Sequence, residues 1–163
     1  MILRLVQPPA KEPVSLEEAK NHLRVDLSDD DTLIHSLIVS ARQMAENYAR
    51  RAFITQTWEL TFFQSKQFVG LPREPIQEVL SVDSKGQSLS YEAEGSRIRF
   101  FSPVSGPVRI RYVAGYGDEP EDVPEAIRQA ILQMVGHLYE NRESQTMPSL
   151  GFQLLEPYKV WAV

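Results

Sequence analysis

The chain has 163 residues, no cysteine and a formal net charge of −5, with 42% hydrophobic and 24% charged residues. This balance excludes a collagen-like repeat, a wholly disordered chain and a coiled-coil rod. The lack of cysteine excludes disulfides, a thiolate nucleophile and a thiolate zinc site.

No apolar run approaches the ~18 residues of a membrane span. Met1-Ile2-Leu3-Arg4 lacks the charged start and apolar stretch of a signal peptide. The expectation is a soluble protein of a reducing compartment, with no membrane partner. The charge is unevenly placed: residues 1–51 hold 7 basic and 8 acidic side chains, 52–117 hold 7 and 6, and 118–163 hold 3 and 8. The last segment thus carries the net charge. A pI near 5.2 argues against a dedicated nucleic-acid binder but leaves room for a local basic patch.

In chain order, Gln7 to Pro13 reads as extended and punctuated by proline. Ser15 and Glu18 then form a capping box, and Leu16, Ala19 and Leu23 predict a helix over about 16–24. A second box pairs Ser28 with Asp31. It opens a longer helix over 29–51, whose apolar face runs Leu33, Ile34, Leu37, Ile38, Ala41, Met44, Ala45, Tyr48 and Ala49. From Thr55 the period falls to two, with Trp58, Leu60 and Phe62 on one face. Further strands are predicted at 76–82, 88–92, 96–101 and 107–114, separated by Asp83-Ser84-Lys85-Gly86, Glu94-Gly95-Ser96 and Ser102 to Pro107. They predict one small antiparallel sheet of four or five strands. Asp122 with Glu125 makes a third capping box, and Ile127, Ala130, Ile131, Met134, Val135, Leu138 and Tyr139 face one side of a helix over 123–142. Residues 144–149 read as loop, and 152–163 as an apolar tail without clear period.

The fold class expected is α+β: helices from both ends pack as a core around an inserted antiparallel sheet. The chain reads as one domain, with N-terminal helices in 1–54, a β-insert in 55–117, a helix in 118–143 and a tail in 144–163.

Catalytic patterns are weak. Asp31 and His35 share a helix face and could offer two metal ligands, but a working site needs more. No serine sits in a G-x-S-x-G turn. Val113-Ala114-Gly115-Tyr116-Gly117 lacks the lysine of a phosphate loop and reads as the turn leaving the last strand. No cofactor or catalytic residue is assigned.

Three other features point to contacts. Arg97, Arg99, Arg109 and Arg111 alternate along two neighbouring strands. If these pair as a hairpin, four guanidinium groups share one face, whether solvated, set against carboxylates or touching phosphate. No aromatic platform is read between them. Gly136 lies ~180° from Ile127 and Met134 on a helical wheel, which suggests tolerated drift or close approach of another backbone, such as a second subunit's. Leu154, Leu155, Tyr158 and Trp161 place a large apolar load on a chain end. They either fold back onto the core or anchor in a partner's groove.

Several of these stretches resemble one known family. They are Val14-Ser15-Leu16-Glu17-Glu18-Ala19-Lys20-Asn21-His22-Leu23-Arg24-Val25-Asp26, then Asp31, Leu37-Ile38-Val39-Ser40-Ala41-Arg42, Ala45-Glu46-Asn47-Tyr48 and Arg51. Val123 to Ile131, His137 to Glu143 and Leu154-Leu155-Glu156-Pro157-Tyr158 continue the likeness. Together they resemble head–tail connector (adaptor) proteins of long-tailed phages and prophages, whose larger members carry a β-insert. The resemblance implies a structural, non-enzymatic protein without cofactor. It implies a ring of about twelve copies under the portal protein, in the virion neck, assembled in the bacterial host cytoplasm. Such a ring extends a channel through which double-stranded DNA passes without specific contact, and it docks the next neck or tail-completion protein.

On this reading Leu154, Leu155, Tyr158 and Trp161 form the portal-binding tail. Arg97, Arg99, Arg109, Arg111, Gly136, Asp118, Glu119 and Glu121 form the subunit interface, with the arginines meeting a neighbour's acidic segment. The rival readings are a small DNA-binding regulator using an arginine-rich β-hairpin and a metal-dependent hydrolase.

Overall fold

A computed structural model describes residues 1–104, 106–141 and 149–161. The expected loop over 144–149 lies outside these residues save for Ser149, as do Arg142, Glu143, Ala162 and Val163.

The helices follow the sequence pattern, but their ends are set by tertiary partners. Helix α1 spans Leu16–Leu23. Ser15 Oγ accepts from the Glu18 N–H at 3.1 Å and Glu18 Oε2 from the Ser15 N–H at 2.8 Å, so the first capping box forms. Helix α2 spans Asp31–Ala49, and its expected box does not form. Asp31 is paired with Lys20 of α1 at 2.6 Å. Asp30, at the cap position, accepts from the Tyr139 hydroxyl at 2.6 Å. Both carboxylates thus tie α2 to neighbouring helices.

Helix α3 spans Glu125–Glu140 and begins after Pro124. The expected Asp122 cap is also displaced, because Asp122 turns back to the Glu119 N–H at 3.0 Å in a 3-10 turn over Pro120–Asp122. Gly117 makes room for that carboxylate: a Cβ there would stand 2.2 Å from Asp122 Oδ2. Helix α4 spans Ser149–Leu155 and runs into a 3-10 turn over Glu156–Tyr158.

The β region is larger than the sequence pattern predicts. Strands β1 (Ile2–Gln7), β2 (Gln56–Phe62), β4 (Ile76–Ser84), β5 (Gln87–Ser88) and β8 (Val108–Ala114) form a five-stranded sheet in the order β1-β2-β8-β4-β5. Strands β3 (Lys66–Gly70), β6 (Tyr91–Glu94) and β7 (Arg97–Val104) form a second sheet in the order β3-β7-β6. β1 and β3 were not expected, and β1 brings the N-terminus into the sheet of the insert. Inward residues of both sheets, among them Leu60, Phe62, Val69, Ile98, Phe100, Ile110 and Tyr112, make one apolar cluster.

A second cluster lies among the helices, with Ile34, Ile38 and Ala45 of α2 facing Ile127, Ile131 and Met134 of α3, as the apolar stripes predict. The two clusters meet at Glu46. Its side chain is almost fully buried and accepts from Arg42 at 2.7 Å, from the Phe53 N–H at 2.9 Å and from Gln56 Nε2 of β2. Arg42 also pairs with Glu12 at 2.7 Å. Arg73 donates to the Glu46 carbonyl at 2.9 Å and lies over the Trp58 ring at 5.0 Å. Burial pushes the Glu46 carboxyl above its ordinary range, and the three donors offset part of that rise. Glu46→Ala leaves a buried guanidinium, a buried N–H and a buried amide short of a partner. It is expected to cost about 3–5 kcal/mol, read as a lower denaturation midpoint with unchanged m-value.

Candidate assembly surfaces

The four arginines do not share a hairpin face. β7 and β8 are consecutive in sequence but lie in different sheets, so the expected cluster splits into two pairs. On the outer face of the large sheet, Glu59 sits under two guanidinium groups, with Arg4 at 3.1 Å and Arg111 at 3.0 Å. The hydrogen bond from Arg111 holds the Glu59 carboxyl below the usual carboxylate range. Arg109 pairs with Asp83 at 3.2 Å. Arg109 and Arg111 thus hold the sheet's own strands together, although about half of each side chain remains exposed.

Arg97 and Arg99 are on the small sheet. Arg99 faces Glu92 at 3.3 Å with both side chains exposed, and Glu94 lies opposite Arg97 in the register. Phe68 lies opposite Arg99, and Phe101 follows two residues along β7 on the same face. They are 62% and 63% exposed. This pair corrects the expectation of a face without aromatics. The period-two pattern of Arg97, Arg99 and Phe101 contained the signal, but Phe68 is placed there only by an unexpected strand. With Glu92 and Glu94 on one side of the arginines and the two phenylalanines on the other side and beyond them, the face is mixed in sign and partly apolar. It has the character of a protein contact, not of a phosphate track.

The acidic segment is exposed at Asp118, Glu119 and Glu121. Lys11 bonds both Glu119 oxygens, at 2.6 and 2.5 Å. Beside it lies a groove of about 390 Å³ lined by Gln7, Pro8, Lys11, Thr57, Asp118 and Glu119. Gly136 faces its own chain: a Cβ there would stand 3.4 Å from His22 Nε2 of α1. That is ordinary contact with side chains of α1, and no backbone of another element is among the nearest atoms. Asp31 is engaged by Lys20, and no group of three or more potential metal ligands stands together among the described residues.

The tail is mostly core. Leu155 is fully buried in the helical cluster, with Leu154, Tyr158 and Phe152 packed against it. Phe152 meets the Tyr48 ring at 4.4 Å. The Tyr48 hydroxyl donates to Glu156, Arg51 Nε donates to the Tyr158 carbonyl, and the Val160 N–H donates to the Ala49 carbonyl at 2.9 Å. The tail thus closes the C-terminal end of α2 and is not a free anchor, because its apolar side chains find their partners within the chain. Trp161 differs, at 66% exposure, with Lys159 over its ring at 4.5 Å. Leu155→Ala is expected to cost about 2–5 kcal/mol, whereas Trp161→Ala stays within about 0.5 kcal/mol of the parent. Thermal melts of the two variants check both values.

The family model described as "Phage gp6-like head-tail connector protein" matches residues 13–156. No curated protein sequence matches the chain. Among solved structures, the fold is similar to a protein in the neck of an empty GTA particle computed with C6 symmetry, with a TM-score of 0.84 and 20% identity over 100% of this chain and 97% of that one. A protein in the neck of a native GTA particle computed with C12 symmetry gives the same values. One in the virion of a native gene transfer agent (GTA) particle gives 0.82 and 21%, with the same coverage. At this identity the likeness is one of fold, and it runs from end to end. Since the family model spans most of the sequence, including both helical signatures and the chain up to Glu156, the protein belongs to the phage gp6-like head–tail connector family and is a structural connector protein.

Proposed function

We propose that copies of this chain close head-to-tail into a ring of about twelve in the virion neck. The ring sits on the portal protein, continues its channel and docks the next neck or tail-completion protein. Assembly takes place in the bacterial host cytoplasm. The role is structural, without a catalytic step or cofactor. The observation that carries this reading is family membership joined to an end-to-end fold match with neck proteins, two of whose particles were computed with C6 and C12 symmetry.

The surfaces left exposed support it. The outer face of the small sheet offers Arg97, Arg99, Phe68 and Phe101. A neighbour's Asp118, Glu119 and Glu121 complement the arginines. Exposed Trp161 takes over the portal contact first assigned to the whole tail. Exposed ion pairs are individually weak and screened by salt, so the free subunit is a monomer that assembles on the portal template. DNA passes through without sequence-specific contact, because a chain of net charge −5 does not hold a duplex tightly.

The test mixes purified protein with DNA-filled, portal-bearing heads that lack their connector, followed by sedimentation and imaging. The expected result is a ring at the portal vertex. Trp161→Ala should reduce attachment without changing stability, and Arg97→Glu with Arg99→Glu should reduce ring closure. Protein that leaves the heads bare overturns the reading. Duplex binding measured separately should be weak, non-selective and steeply lost with salt.

A further inference from the structure

β1 is an end strand of the large sheet, so one row of its backbone N–H and C=O groups has no strand beside it among the described residues. Its sequence is Ile-Leu-Arg-Leu-Val-Gln, with Ile2 58%, Leu5 38% and Val6 37% exposed. Folded proteins blunt such edges with charge, proline, a bulge or a covering element, because an open apolar edge templates another strand. Here the strand's single charge, Arg4, is drawn across the sheet to Glu59. The one register irregularity lies at its far end, between Leu5 and Gln7.

We infer that β1 of each copy receives strand β6 of the next copy, so that the large sheet of one subunit continues into the small sheet of its neighbour. This rests on the ring reading and names the contact that stitches it. The choice of β6 follows from the remaining edges. β5 has two residues, too few to pair along β1. β3 begins at Lys66, which would set a cation beside Arg4, and that lysine already contacts Met1 of its own chain at 3.8 Å. β1 against another β1 would close a two-fold dimer and end the assembly.

β6, Tyr91–Glu94, instead sets no cation beside Arg4: its charges are Glu92, which faces Arg99 of its own sheet, and Glu94. It is an end strand of the other sheet, so the contact joins two different surfaces and propagates head-to-tail. It is also continuous with the contact proposed above. Gln7, at the end of β1, lines the same groove as Asp118 and Glu119, while β6 is hydrogen-bonded to the strand that carries Arg97 and Arg99. One approach brings both pairs of surfaces toward each other.

The chain's lack of cysteine permits a direct test. Val6→Cys and Glu94→Cys are introduced singly and together, with Ile2→Cys and Glu92→Cys as a second pair for another register. All four positions are exposed, and melts should match the parent. Proteins are assembled on portal-bearing heads, oxidised and run on a non-reducing gel. A double variant should give a ladder of linked oligomers up to the closed ring. A mixture of Val6→Cys and Glu94→Cys single variants should give linked dimers, and each single variant alone none. Rings that form without linkage in either pair overturn this inference and leave the ring reading standing. Self-linkage of Val6→Cys overturns it in favour of β1–β1 pairing. Linkage of Val6→Cys to a cysteine introduced in the portal overturns it in favour of a portal strand. If no ring forms, both readings fall together.

Discussion

The buried Glu46 carboxylate is the constraint on which the arrangement of the two halves depends. The helical and β clusters adjoin where buried Ala52 runs into Phe53 and Ile54, and apolar contact there is not directional. Glu46 adds directional bonds. One oxygen takes Arg42 from its own helix, while the other takes the Phe53 N–H and Gln56 at the entrance to β2. A charge in that position is tolerated only because its donors arrive together. Arg42 extends the network to Glu12 in the segment leading out of β1, so three separated stretches of chain are fixed by one cluster.

From this junction the outer surfaces acquire their roles. The return of the chain end across α2 satisfies Leu154, Leu155 and Tyr158 internally and leaves Trp161 outside. The large sheet spends Arg4, Arg109 and Arg111 on its own carboxylates. Among the features left exposed in the described residues are the mixed face of the small sheet, the acidic segment, the open edge of β1 and the Trp161 indole. Exposed ion pairs of this kind are individually weak.

The sequence made the helical frame legible. A 3.6-residue apolar stripe favours one buried face. α2 and α3 bury the centre of each stripe, Ile34, Ile38, Ala41, Ala45 and Ala49 in α2 and Ile127, Ala130, Ile131, Met134 and Val135 in α3, while Leu33, Leu37, Tyr48, Leu138 and Tyr139 are half-buried at its margins and Met44 is exposed. The Ser15–Glu18 box held because both its partners lie in one turn. The Ser28–Asp31 and Asp122–Glu125 boxes failed for a tertiary reason, since Lys20, Tyr139 and the Glu119 N–H claimed the carboxylates first. The β1 strand stayed hidden because its alternation is poor, with apolar side chains on both faces of an edge.

The sequence by itself determined the helix faces, the family and the α+β class, because these depend on local period and on residues read in order. Only the tertiary structure decided which edges and charges remain free. Arg97 and Arg111 look alike along the chain, yet Arg111 is held by Glu59 and Arg97 has no ion pair among the described residues. That difference arises because β7 and β8 turn into separate sheets. Strand pairing is non-local, and no period within a strand records which partner it will find.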